Sequence, residues 1–138
     1  MGSGGRCMME IKVDNFSEHK DERGSLIVVT TATFPIKRIF YVTGAPINMV
    51  RGRHAHTDTQ QYYFCMKGKI EITLWDGMSQ PVIVLLKEKR GIFIDKLIWS
   101  SEKFLTGNDQ LVVLCSAEYK QDYIRTKEEF EEMVRKSK

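Results

Sequence analysis

His54 and His56 are the residues of this 138-residue chain best suited to chemistry, because they stand two apart in the segment Arg51-Gly-Arg-His-Ala-His56. In an extended strand successive side chains point to opposite faces, so both imidazoles project from one face, away from Arg53 and Ala55. An imidazole ordinarily titrates near neutral pH, which suits such a pair to general acid and base work. The chain has only three histidines, and the third, His19, lies far upstream. Along the next run Gln61, Tyr63 and Cys65 alternate with Tyr62, Phe64 and Met66, so if Gln61 faces the histidines, Tyr63 does too. Two imidazoles with no third imidazole and no nearby carboxylate fall short of the three protein ligands that catalytic zinc keeps. The expectation is therefore no metal and no other cofactor.

The elements that must position these residues are strands. From Arg38 to about Ala117 short β-branched and aromatic runs follow one another: Ile39 to Thr43, His54 to His56, Tyr62 to Met66, Lys69 to Trp75, Val82 to Leu86, Ile92 to Asp95 and Leu111 to Ser116. Turn signals separate them, among them Lys67-Gly68, Asp76-Gly77 and Gly107-Asn-Asp109. That spacing predicts an all-β antiparallel sandwich or barrel. Only the stretch from Thr126 to Lys138 has helical character, with Thr126 as its cap, Glu129 three residues on, and Phe130 and Met133 at i, i+3 spacing. Before Arg38, Asp21-Glu-Arg-Gly-Ser-Leu26 reads as a turn into a strand running to Thr30, pairing at the barrel edge or across a dimer.

Length and composition set the outer bounds. One domain over residues 9–138 is long enough to bury a core without disulfides, and residues 1–8 read as a leader outside it. Against 18 acidic residues stand 21 basic ones, scattered rather than gathered in a stripe, which argues against a nucleic-acid partner. The apolar runs are far shorter than the roughly 20 residues that cross a bilayer, so no membrane span is expected. Three cysteines without CxxC spacing suit a reducing cytoplasm.

The segment Gly52 to Gly68, with its HxH pair, resembles the first motif of the cupins, which are small jelly-roll-like antiparallel β-barrels. Cupins usually carry Glu where this chain has Gln61, and a histidine on a later strand where this chain has Ile98-Trp-Ser100. A longer set of strings resembles the thymidine-diphosphate-linked 3,4-ketoisomerases related to WxcM-like proteins. They are Asp21 to Leu26, Ile36-Lys-Arg-Ile-Phe-Tyr41, Arg51 to His56, Gln61, Gly68, Asp76-Gly77, Trp99 and Asp122-Tyr-Ile-Arg125.

The resemblance implies isomerisation of a dTDP-4-keto-6-deoxyhexose to its 3-keto isomer through an enediol, ahead of a transaminase. It implies His54 as the carbon base, with His56 shuttling a proton or holding the sugar oxygens. Tyr41 is the next catalytic candidate, as a donor to the enolate. Arg51 is expected on the diphosphate, Arg38 on sugar or phosphate, and Gln61 and Tyr63 along the pocket wall. A homodimer that exchanges an N-terminal strand is the expected assembly. Three other readings stand beside it: a nucleotide-sugar 3,5-epimerase, a non-catalytic sugar-nucleotide binder, and a metal-dependent cupin enzyme.

Overall fold

In the computed structural model, residues 9–30, 34–118 and 122–137 are described, and the leader expected over residues 1–8 lies outside them. The strands are β1 (Val13–Asn15), β2 (Ser17–Asp21), β3 (Gly24–Val28), β4 (Arg38–Thr43), β5 (Val50–His56), β6 (Gln61–Lys67) and β7 (Lys69–Trp75). They continue with β8 (Val82–Lys87), β9 (Arg90–Ile94), β10 (Trp99–Phe104), β11 (Gln110–Cys115) and β12 (Tyr123–Ile124), and the chain closes with α1 (Lys127–Lys136). One five-stranded sheet runs β1-β9-β6-β11-β4 and a second runs β12-β5-β10-β7-β8. The registered strand pairs are antiparallel, as the hairpin turns predict.

Alternation along the strands builds the core between the two sheets. Ile70, Ile72 and Leu74 of β7 are fully buried, and they meet Tyr63, Cys65, Leu111 and Val113 from the facing sheet. Burying that many aliphatic side chains, each worth about 1.5–3 kcal/mol, is the main force that holds the two sheets together. On the outer face of the first sheet, Tyr62 and Phe64 pack with Phe16, Phe34 and Phe93 as a smaller cluster. This two-layer arrangement is the all-β antiparallel sandwich or barrel that the strand pattern predicts, and it fits the cupin fold that the resemblance implies.

β10 carries the difference between expectation and structure. Its inward residues include Ser100 and Glu102, both buried, so the apolar alternation that marks a strand is missing there. The short strands β1, β2 and β12 also carry too few apolar residues to stand out. β3 ends at Val28 and pairs with β2 alone, as a hairpin outside both barrel sheets.

α1 begins where expected: the Thr126 hydroxyl accepts from the Glu129 N–H at 3.1 Å. Its buried pair is Phe130 and Val134, at i, i+4, while Met133 turns outward. Phe130 lies 5.5 Å from the Trp75 ring and 5.8 Å from Trp99, so the helix covers the outer face of the second sheet. That docking anchors the chain end, and the segment just before it, β12, pairs with the edge of β5. The pairing sets Tyr123 directly opposite His56.

Candidate active site

Arg51 and His54 stand three apart, an odd spacing that regular alternation would send to opposite faces. The register against β10 removes the conflict: His54 lies opposite Ser100, Gly52 opposite Ser101 and Arg51 opposite Glu102. Two residues of β5 thus pass for one of β10, a β-bulge with Arg53 as the extra residue. Gly52 (φ 86°) and Arg53 (φ 63°) both adopt the left-handed conformation that the bulge needs. A Cβ on Gly52 would come within 2.8 Å of Glu102 Oε2 and 3.1 Å of the Ser100 carbonyl oxygen, so neither the torsion nor the space admits another residue. The register therefore puts Arg51, which is exposed, and the half-buried His54 on one face of the sheet, in line with the buried Glu102 and Ser100.

The His54 ring donates to the Gly52 carbonyl oxygen, which fixes the ring and leaves its other nitrogen to act. Burial pushes the His54 imidazole below its ordinary value, with help from His56 and Arg125, against the Gly52 bond and Asp122. It is a neutral base at pH 7. His56 is buried, and its Nδ1 lies 2.9 Å from Asp122 Oδ1. Burial raises the Asp122 carboxyl, but hydrogen bonds from His56, the Asp58 and Thr59 N–H groups and the Thr59 hydroxyl together hold it well below the usual carboxylate range. That leaves His56 Nε2 buried and, among the described residues, without a hydrogen-bond partner.

Tyr123 stacks on both imidazoles, with ring centroids 4.8 Å from His54 and 4.6 Å from His56. The Arg125 guanidinium lies 4.7 Å over the same ring. The two histidine rings are themselves 5.1 Å apart, edge to face. The pairing of β12 with β5 thus delivers an aromatic and an acid to the histidine pair.

The remaining candidates divide. Gln61 and Tyr63 point inward and are buried, but their polar ends are engaged: Gln61 Nε2 donates to Cys115 Sγ at 3.6 Å, and Tyr63 hydrogen-bonds the Ser100 side chain. They form the wall of the lumen. Arg38 is half-buried, opposite Cys115 in register and 5.0 Å over Phe40. Tyr41 does not join the site and corrects the expectation: it is 71% exposed on the outer face, because Phe40 and Val42 are the β4 residues packed on the core. Sequence reasoning missed Asp122 and Tyr123 as site residues; their string was visible, but no spacing links Asp122 to a histidine 66 residues away. It also missed Glu102, which sits on the strand that the apolar pattern hid.

A divalent cation, common in cupins, finds a poor donor set. His56 Nδ1 is taken up by Asp122, the nearby amide is bonded to Cys115 and the serine to Tyr63, and the described residues contain no cluster of three or more His, Cys, Asp or Glu able to hold a metal. That donor set does not fit such an ion.

Comparison with known proteins agrees with this fold. The chain is 31% identical over 132 residues to a TDP-4-oxo-6-deoxy-alpha-D-glucose-3,4-oxoisomerase of Aneurinibacillus thermoaerophilus, covering 93% of this chain and 95% of the relative. A 3,4-ketoisomerase from Helicobacter canadensis superposes with a TM-score of 0.85 at 35% identity, over 93% of this chain and 99% of the other. A histidine-to-asparagine mutant of the 3,4-ketoisomerase QdtA from Thermoanaerobacterium thermosaccharolyticum, in complex with TDP-4-keto-6-deoxyglucose, gives 0.85 at 26% identity, over 94% and 96%. The family model described as FdtA, WxcM-like, C-terminal, matches residues 9–135. With its barrel, its HxH strand and almost its whole length inside that match, the chain belongs to the WxcM-like, C-terminal family.

Proposed function

We propose that this protein is a sugar-nucleotide 3,4-ketoisomerase that converts a dTDP-4-keto-6-deoxyhexose to its 3-keto isomer. The observation that carries the reading is the β5 bulge, which turns Arg51 and His54 to one lumen face beside the His56–Asp122 pair. The Aneurinibacillus relative is named for this class of substrate, and the QdtA mutant holds TDP-4-keto-6-deoxyglucose.

In this reading His54 takes the C3 proton with its unbonded nitrogen, and the C3–H electrons form the enediol as the C4 carbonyl oxygen gains a proton. Return of a proton to C4, with loss of the O3 proton, leaves the ketone at C3. Atoms and electrons balance within the sugar, so no outside oxidant enters. His56, fixed through Nδ1, offers Nε2 to the sugar oxygens, and Tyr123 stands against both rings. With the His56 Nδ1–H on Asp122, Nε2 accepts from a sugar hydroxyl, and the Tyr123 O–H is the donor that stabilises charge as it develops on the enolate oxygen. Arg51 meets the diphosphate, where a planar guanidinium gives bidentate contact. Arg38 is the further anion contact at the edge of the same cluster.

Incubation with thymidine-diphosphate-4-keto-6-deoxyglucose tests the proposal directly. A 3-keto product supports it, and unchanged substrate overturns it.

The working unit in this reading is a homodimer. Supporting it, the β2–β3 hairpin forms a sheet of its own and exposes Leu26, Ile27 and Val28 in succession, an apolar run that a second copy would cover. A cavity of about 340 Å³ lies beneath it, lined in part by Phe16, Ile27, Phe64 and Met66. Sedimentation at micromolar concentration should give a mass near twice 16.0 kDa, and a monomer would overturn this part. We also place the protein in the cytoplasm, in keeping with Cys65 and Cys115, both free thiols. No helix among the described residues is long and apolar enough to cross a membrane.

A further inference from the structure

Glu102 is the buried ionisable group in the lumen that the proposed reaction leaves unused. It is 6% exposed, and its Oε2 has no hydrogen-bond partner among the described residues. Its carboxyl packs against Gly52, and its cross-strand partner is Arg51. Among the described residues Arg51 makes no ion pair, so the two stand opposite one another without closing a salt bridge.

Burial pushes the Glu102 carboxyl up to about 8, against the pull of Arg51. The groups around it whose titration burial shifts, Tyr63, Cys115 and His54, move away from that pH. β7 presents Ile72, directly opposite. β6 presents Tyr63, whose phenol burial holds well above its ordinary value. Behind Tyr63, β11 presents Cys115, whose thiol burial raises, and β12 presents Tyr123. On β5, His54 is already neutral above its lowered value.

We propose that Glu102 is the positioning residue for Arg51: neutral, it leaves the guanidinium to a diphosphate at the mouth of the lumen; ionised, it draws the guanidinium inward and weakens nucleotide binding. The inference rests on reading Arg51 as the diphosphate contact. It predicts an affinity that falls with alkalinity for a reason located in the protein, not in the ligand. The loss should appear in KM rather than kcat, because the reacting carbons lie at His54.

Titration calorimetry with thymidine diphosphate between pH 7 and 9 tests it on the native protein, Glu102→Gln and Arg51→Gln. One unit above the midpoint about a tenth of the molecules stay neutral, so native affinity should fall about tenfold by pH 9. Glu102→Gln keeps the ligand's own titration but removes this one, and its affinity should stay level. A level native profile overturns the proposal whether or not the variant folds, and so does an equal fall in native protein and Glu102→Gln. Tight binding by Arg51→Gln at pH 7 would instead overturn the assignment of Arg51 itself. Weak binding by Arg51→Gln, together with an unaltered fall in Glu102→Gln, removes only the role given to Glu102.

Discussion

The Nδ1 atom of His56 and the Oδ1 atom of Asp122 meet at 2.9 Å, although 66 residues separate them in the chain. Asp122 thereby fixes the His56 ring, and in the proposed reaction it sets which nitrogen faces the sugar. Asp122→Asn keeps the size but loses the charge that its four donors solvate. Hydrogen bonds to charged groups contribute about 1.5–3 kcal/mol each, so a stability loss on the order of 2–3 kcal/mol is expected in denaturant titration. Activity should fall with it, by about tenfold or more at pH 7, since the ring loses its orientation. Full activity in Asp122→Asn would remove His56 orientation from the account.

The same carboxyl sets a pH dependence of stability. Its folded value lies below its ordinary 3.8, so its contribution is fully present above that pH and is lost as pH falls through the folded value. Native protein should lose stability below about pH 4 more steeply than Asp122→Asn. Parallel acid-unfolding curves would contradict the bonding described for Asp122.

Gly52→Ala tests the bulge. The substitution meets both a φ of 86° and a contact of 2.8 Å with Glu102, so the strand must straighten or shift. Left-handed strain on a residue with a side chain costs about 1–3 kcal/mol, and the larger effect should be on chemistry as Arg51 and His54 part company. A drop in kcat/KM of about a hundredfold is expected, given what small misplacements of reacting groups cost. Wild-type kinetics in this variant would show that the bulge does not align the two residues.

His54 must be neutral to accept a proton. Because burial lowers its titration, kcat/KM should hold as pH falls to 6.5 and decline only below that value. An acid limb centred above 6.5 would place the essential base elsewhere.

The tyrosines separate by face. Tyr41→Phe should leave kcat within about twofold, as expected of an exposed side chain away from the chemistry, whereas Tyr123→Phe should lower it by about tenfold. The reverse ranking, read from steady-state kinetics, would restore Tyr41 to the site.

How much of this was legible in the sequence follows from what each feature depends on. The His54–His56 pair, the barrel strands and the Thr126 cap were readable because each is a local pattern of period or type. Arg51 carried its role only through resemblance, since its odd spacing from His54 makes sense only with the bulge. Glu102 and Ser100 were hidden because polar residues facing inward erase the alternation that identifies a strand. Asp122 was hidden because strand pairing, not spacing, brings it to His56. Tyr41 was misplaced because a run of two aromatics does not reveal which one the core takes.

The most direct test of the central claim is a proton NMR time course with thymidine-diphosphate-4-keto-6-deoxyglucose in deuterated water, on native protein and on His54→Asn. The native protein should yield the 3-keto isomer with deuterium entering the ring at C4, and His54→Asn should yield neither while still binding the nucleotide sugar. Exchange at C3 and C5 without migration of the ketone, or full turnover by His54→Asn, would contradict the account.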